Sequence, residues 1–332
     1  MNILVYDVAA ENGGATSILE YFYSIHKQDT ENKYFYILST YVLEETENIK
    51  VINVPQVKKS WLHRLHFDYF GVKKYLKQFA IDEVFSLQNT RIPCFRGKQT
   101  VYLHNALPFS EHRFSFGENK KLWIYQNVIG KMMKNSAKKA DKTIVQTEWM
   151  KEAVEKAVPK AVGKVEVQFP KVDVPAQYTY QGVGETCRFF YPANSEPFKN
   201  HRLILEACRL LKGEETPYEV VLTLVGDEAP WIAELKQTAE QEGLPFRFIG
   251  RLTREEVLEW YTRSVLLFPS YIETVGLPIY EAKTVGAPML LSDCAYARGV
   301  AQNYEKAQYF NYKKAEELSA LMKEIMKKEA KE

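Results

Sequence analysis

Short apolar runs alternate with segments of helical period along almost the whole chain. NILVYDV (2–8), YFYILST (34–40), EVFSL (83–87), QTVYLH (99–104) and KTIVQT (142–147) are rich in β-branched and aromatic residues and predict strands. Between them, ATSILEYFYSIHK and KLWIYQNVIGKMMKNSAKKA place apolar residues at helical spacing. Such alternation predicts right-handed βαβ units and a parallel sheet covered on both faces.

The stretch VEVQFPKVDVPAQYTYQGVGETC (165–187) interrupts the pattern with prolines, glycines and polar residues and reads as a linker. After it the alternation resumes through CRFFYPA, a helix from about Asn200 to Leu211, EVVLTLVG, IAELKQTAEQEG, FRFIG, REEVLEWYTR and SVLLFPS. A charged helix, KKAEELSALMKEIMKKEA, closes the sequence. The expected organisation is an α/β chain. It has a Rossmann-like domain over 1–168, a linker over 169–186, a second Rossmann-like domain over 187–311 and a terminal helix over 312–332. Ligands of open α/β sheets bind beyond the carboxyl ends of the strands, so the loops there are the first place to look for chemistry.

Composition narrows the picture. At 332 residues, 46% hydrophobic and 26% charged, the chain is an ordinary globular one, and its length favours two domains. A net charge of +2 gives no bulk argument for nucleic acid. Cys94, Cys187, Cys208 and Cys294 form no C-x-x-C pair, which points to reduced thiols rather than a zinc site or a disulfide framework. The first residues lack the basic and small-residue features of a signal peptide, and no apolar run is long enough to span a bilayer. A cytoplasmic protein is expected.

PSYIETVGLPIYEAKTVGAPMLLSD (269–293) carries the sharpest local signal. A buried-strand pattern ends at Pro269-Ser270, and a helix begins with Pro278 in its first turn, where the missing N–H costs nothing. Glu273 falls in the loop and Glu281 about one turn into the helix. Gly276 lets the backbone bend and approach a ligand closely, and the N–H groups of the first turn favour a phosphate. Carboxylates on either side can accept hydrogen bonds from hydroxyls, an arrangement that suits a nucleotide sugar. The other reading is structural: Glu281 capping local backbone and Glu273 solvated.

With Gly276-Leu277-Pro278 inside it, the Glu273-x7-Glu281 spacing resembles the E-x7-E motif of the retaining glycosyltransferases of family 4. The likeness extends to FIGRLTREEVLEWYTRSVLLFPS, EAKTVGAPMLLSD, YPANSEPFKNHRLILEA and ENGGATS, strong in the second half and weak in the first. It implies the GT-B fold, two Rossmann-like doubly wound domains facing each other across a cleft. By resemblance Glu273 contacts the donor sugar, Glu281 the ribose, the amides around Val275, Gly276 and Leu277 the diphosphate, and Lys199 the donor phosphates. Arg251 takes a base-contacting loop position, where a plain surface charge is the other reading. Gly14, after Gly13, lies in the loop that such enzymes turn towards donor and acceptor. His104, at the end of QTVYLH, stands near the reacting sugar or else is a satisfied structural histidine; both readings stay open. The chain departs from the family where Pro192-Ala193-Asn194 replaces a common Gly-Arg pair, and where Thr274-Val275 replaces Gly-Phe.

The resemblance implies a nucleoside-diphosphate sugar donor (UDP or GDP), a glycan or lipid-linked acceptor and no cofactor. The sequence contains no D-x-D, so a metal site of the GT-A kind has no evident ligands. An isomerase or phosphorylase on the same scaffold is one alternative, and a catalytically weak sugar-nucleotide-binding protein another. Two basic stretches, Lys131, Lys134, Lys138 and Lys142 along a helical side and Lys73, Lys74 and Lys77 among large apolar residues, read as solvated faces or as a peripheral contact with anionic lipid at the inner face of a membrane. No nucleic-acid module is visible.

Overall fold

The computed structural model describes residues 1–11 and 14–329. It divides into two compact units, Met1–Phe169 and Pro170–Glu332. In the first unit the strands are β1 (Asn2–Asp7), β2 (Lys33–Leu38), β3 (Ile49–Asn53), β4 (Glu83–Ser86), β5 (Lys98–Leu103), β6 (Lys142–Val145) and β7 (Val165–Val167). Its helices are α1 (Gly14–Lys27), α2 (Trp61–His66), α3 (Lys73–Gln78), α4 (Lys120–Ile124), α5 (Gly130–Lys139) and α6 (Glu148–Ala157). Single π-turns at Phe67–Gly71 and Tyr125–Ile129 join α2 to α3 and α4 to α5.

The second unit contains β8 (Cys187–Tyr191), β9 (Tyr218–Leu222), β10 (Phe246–Phe248), β11 (Val265–Phe268), β12 (Met289–Ser292) and β13 (Ala307–Phe310). Its helices are α7 (His201–Leu210), α8 (Pro230–Gln241), α9 (Arg254–Tyr261), α10 (Leu277–Val285), α11 (Ala295–Val300) and α12 (Ala315–Glu329). The C-terminal helix α12 packs on α7.

Every strand pair is parallel, in the orders β3-β2-β1-β4-β5-β6-β7 and β10-β9-β8-β11-β12-β13. Alternate side chains explain why both faces must be covered. Val5, Tyr36 and Phe85 pack under α1 with Leu19 and Phe22, whereas Leu4, Tyr6, Ile37 and Val84 pack under Phe67 and Val72. The order reverses between β1 and β4 in the first sheet and between β8 and β11 in the second. Those reversals leave a crevice where neighbouring strands send their loops apart.

The structure revises some local expectations. β3 and β13 are strands in segments that carried no strand prediction, and Val165–Val167, expected as the start of the linker, is edge strand β7. The row Lys131, Lys134, Lys138, Lys142 is corrected at two members. Lys142 opens β6 and pairs with Glu166 at 2.5 Å, because the helix ends at Lys139. Lys134 turns inward over Phe109, where burial lowers its pKa. The four cysteines are free thiols. Among the described residues no helix is long and apolar enough to cross a membrane.

Candidate functional site

The two strands at the reversal of the second sheet lead to two of the predicted residues, Lys199 and Glu273. β8 runs into the turn that holds Lys199, and β11 into the loop that holds Glu273. Lys199 Nζ donates to Glu273 Oε1 in a half-buried ion pair. The turn is pinned to the loop by backbone and side chains. Tyr271 N donates to Phe198 O at 3.1 Å, Tyr191 OH to Lys199 O at 2.8 Å, and Asn200 Nδ2 to Pro269 O at 3.3 Å and Tyr312 O at 2.8 Å. Asn200 adopts a left-handed conformation, φ 62°, one that asparagine tolerates better than most residues. A lysine on so fixed a turn is a preorganised cation rather than a solvated one.

Behind Glu273 the chain turns at Gly276, φ 75° and ψ 56°, and α10 begins. Among the described residues no protein acceptor meets the backbone N–H of Val275, Gly276 or Leu277. Pro278 supplies no donor, and Ile279 N is spent on Gly276 O at 2.9 Å. Three amides at a helix N-terminus are therefore available to an anion, with the helix dipole in their favour. A Cβ on Gly276 would stand 3.2 Å from the Tyr296 ring and 3.3 Å from Ile279 Cδ1, on a backbone that L-residues avoid. Gly276→Ala is expected to cost about 1–2 kcal/mol of stability and to move the amides. Thermal unfolding together with nucleotide titration checks both effects; unchanged affinity would detach this turn from ligand binding.

Glu281 is 9% exposed on the inward side of α10. Its Oε1 lies 3.5 Å from Arg254 Nε, and its Oε2 accepts from Tyr261 OH at 3.4 Å. Burial raises its pKa, against the pull of Arg254. Both contacts are long, so the carboxylate keeps acceptor capacity for a hydroxyl-bearing ligand. Arg254 is the neighbour of Glu281 that sequence reasoning missed. The signal was there: a T-x-x-E capping box starts α9 at Arg254, and a cation in a first turn opposes the helix dipole. Arg251, three residues earlier, is exposed, with no partner among the described residues. Where the family's Gly-Arg pair would stand, Ala193 N donates to Thr223 Oγ1 at 3.1 Å and Asn194 is exposed.

His201 follows this turn directly. Its ring is fully buried against Tyr191 and Trp231, neither nitrogen has a hydrogen-bond partner among the described residues, and burial, with Lys199 nearby, drives its pKa down to about 3. The folded state thus holds a neutral imidazole where the unfolded chain takes up a proton near pH 6.5. Stability contributed by the neutral ring is complete above that value and falls with pH, by about 1.4 kcal/mol per unit until about pH 3. His201→Phe keeps the aromatic packing and removes the titration. The variant is expected to lose about 2 kcal/mol less than the parent between pH 7 and pH 5, read by denaturant unfolding.

The remaining predicted residues belong to the first unit. Gly14 opens α1, whereas Asn12 and Gly13 lie outside the described residues. His104 follows β5, with its N–H donating to Asn89 Oδ1 at 2.8 Å and its ring 5.9 Å from Tyr102; burial lowers its pKa to about 4. It is neutral at pH 7. At the neighbouring strand ends Asp7 accepts from Ala10 N at 3.1 Å, and burial raises its pKa to about 6. Arg64 bridges Asp68 at 3.2 Å and Gln88 at 2.5 Å. Polar side chains thus gather at the carboxyl edge of this sheet too. Among the described residues no group of three or more His, Cys, Asp or Glu is placed to hold a metal ion.

Comparison with known proteins gives a family-model match over part of the chain and a fold shared over nearly all of it. Residues 184–332 match the family model described as glycosyl transferases group 1. The chain is 33% identical over 109 residues to O-antigen chain mannosyltransferase B of Escherichia coli, a match spanning 31% of this chain and only 28% of that protein. The structure of sucrose-phosphate synthase from Thermosynechococcus elongatus superposes with a TM-score of 0.75 at 14% identity, over 99% of this chain and 90% of that one. Anabaena HepE in complex with UDP-glucose gives 0.69 at 16%, over 98% and 90%. At such identities the likeness is one of fold, and the fold is GT-B.

Proposed function

We propose that the chain is a retaining glycosyltransferase of family 4 that moves a sugar from a nucleoside-diphosphate donor to a hydroxyl acceptor. One observation carries the reading: a fixed Lys199–Glu273 pair stands in the same loop system as three unspent amides at the start of α10. Residues 170–332 hold the donor and residues 1–169 meet the acceptor. Lys199 and the amides of Val275, Gly276 and Leu277 take the diphosphate, Glu273 orients the sugar hydroxyls, and Glu281 accepts from the ribose.

In the reaction the bond from the anomeric carbon to the phosphate oxygen breaks, and the bond to the acceptor oxygen forms on the same face. The acceptor proton passes to the departing phosphate. Cationic and amide donors aimed at the leaving oxygens stabilise the charge that develops there. Arg251 reaches the base, and His104, neutral at pH 7, keeps its two readings, a group near the reacting sugar by resemblance or a structural histidine. Lys199 carries more of the load because Pro192-Ala193-Asn194 brings no arginine to the phosphates. The work is metal-independent, consistent with the absence of D-x-D. UDP and GDP are the candidate nucleotides, and the UDP-glucose held by the HepE fold neighbour makes that donor the first to try. A glycan or lipid-linked acceptor at the cytoplasmic side of a membrane completes the scheme.

The test is diphosphate release from a panel of UDP-, GDP- and ADP-sugars, with and without glycan acceptors, followed by NMR of the product's anomeric configuration. An α-donor giving an α-product supports the reading, and an inverted product contradicts it. Epimerised donor points to an isomerase and phosphate-dependent cleavage to a phosphorylase. Tight binding with no release from any mixture favours a sugar-nucleotide-binding protein, the reading that the missing arginine keeps in play.

A further inference from the structure

Residues 58–78 form a ridge whose two sides have opposite character. Inward, Phe67 and Val72 pack with Tyr75 and Leu76 on Leu4, Tyr6, Ile37 and Val84 of the first sheet. Outward, Trp61, Leu62, Tyr69 and Phe70 face solvent, Leu62 and Phe70 at 73% and 60% exposure. The His66 ring lies 5.4 Å from that of Phe70, and Lys73 Nζ sits 5.2 Å over the same ring. Six cations, Lys58, Lys59, Arg64, Lys73, Lys74 and Lys77, share this stretch with one acid. That acid, Asp68, is buried and bound to Arg64 and Tyr6.

A second surface of the same kind adjoins it. Gln99 Nε2 donates to Ile92 O at 3.1 Å and Phe95 O at 3.0 Å, Arg91 N to Ser136 Oγ at 3.1 Å, and Cys94 Sγ contacts Asp68 O at 3.7 Å. One loop thus ties α5 to the α2–α3 ridge over a single face of the sheet. From α4 to α5 the exposed residues Tyr125, Val128, Lys131 and Lys138 recur at helical spacing, with exposed Phe116 just before α4.

We infer that this face of the first unit seats on the surface of an anionic lipid bilayer. Exposed aromatic and leucine side chains interleaved with lysines fit the headgroup boundary, where rings enter the interface and ammonium groups meet lipid phosphates. A protein partner fits less well, because the cores of protein interfaces are depleted in lysine. The inference needs no donor chemistry and survives or fails apart from it. It would place the chain where a lipid-linked acceptor is presented.

Co-sedimentation of the full chain with vesicles, without nucleotide, tests it. Binding is expected to phosphatidylglycerol–phosphatidylcholine vesicles, weakened by salt, and not to phosphatidylcholine alone. Lys73→Gln with Lys74→Gln and Lys77→Gln should lower partitioning by about a hundredfold, and Leu62→Ser with Phe70→Ser by about tenfold or more, with melting temperatures unchanged. Equal binding to neutral and anionic vesicles, or undiminished binding by folded variants, overturns the inference. So does conversion of a dimer to monomer by the Leu62/Phe70 changes, or tighter binding to RNA or DNA than to the vesicles at equal salt.

Discussion

Lys199→Ala lowers turnover by about two to three orders of magnitude, the loss that removal of one preorganised donor to developing charge produces. Nucleotide affinity falls less, because the amides of Val275, Gly276 and Leu277 remain. Stability also drops, by about 1–3 kcal/mol, since Glu273 loses the cation that partners it in a half-buried setting. The two effects separate in the double variant Lys199→Ala/Glu273→Gln. Neutralising the orphaned carboxylate should restore the melting temperature, while turnover stays low. Steady-state kinetics alongside calorimetric melting reads both; recovery of turnover together with stability would reduce Lys199 to a structural prop.

Glu281→Ala is expected to weaken binding of the free nucleotide by about 10- to 100-fold, the worth of a hydrogen bond to a charged acceptor. Glu273→Ala leaves that affinity nearly unchanged and lowers turnover instead, since the partner proposed for it is the sugar. The structure supplies the reason for the contrast. Glu281 is buried with two long contacts, to Arg254 and Tyr261, that leave room for another donor. Glu273 shares its loop with the cation and the helix start. Isothermal titration of all three proteins with the nucleoside diphosphate decides, and equal affinities throughout would remove Glu281 from the ribose.

The fold class was legible because parallel strands buried on both faces leave long apolar runs, such as NILVYDV, VLLF and MLLS, between helical periods. β3, β7 and β13 escaped because they are partly buried edge strands whose sequences, IKVIN, VEV and AQYF, hold no continuous apolar run to announce them. The loop with Glu273 and Gly276, and the start of the helix that carries Glu281, could be placed from proline and glycine chemistry alone. The contacts of Arg254 and the clamp at Asn200 could not, since each joins segments distant in sequence: Asn200 reaches Pro269 and Tyr312, and Arg254 reaches Glu281. Lys142 shows the opposite failure. A helical spacing continued on paper past the residue where the backbone had already turned into a strand.

The carboxylate that clasps Lys199 acts as an internal counter-ion, so any incoming anion meets a cation already engaged. Binding is then an exchange, and its strength is the difference between two pairings rather than the strength of one. A weakly charged visitor such as a nucleoside monophosphate gains little from such a swap. A ligand that brings concentrated charge for the ammonium and hydroxyls for the released glutamate repopulates both ends at once, and discrimination arises before any bond is broken.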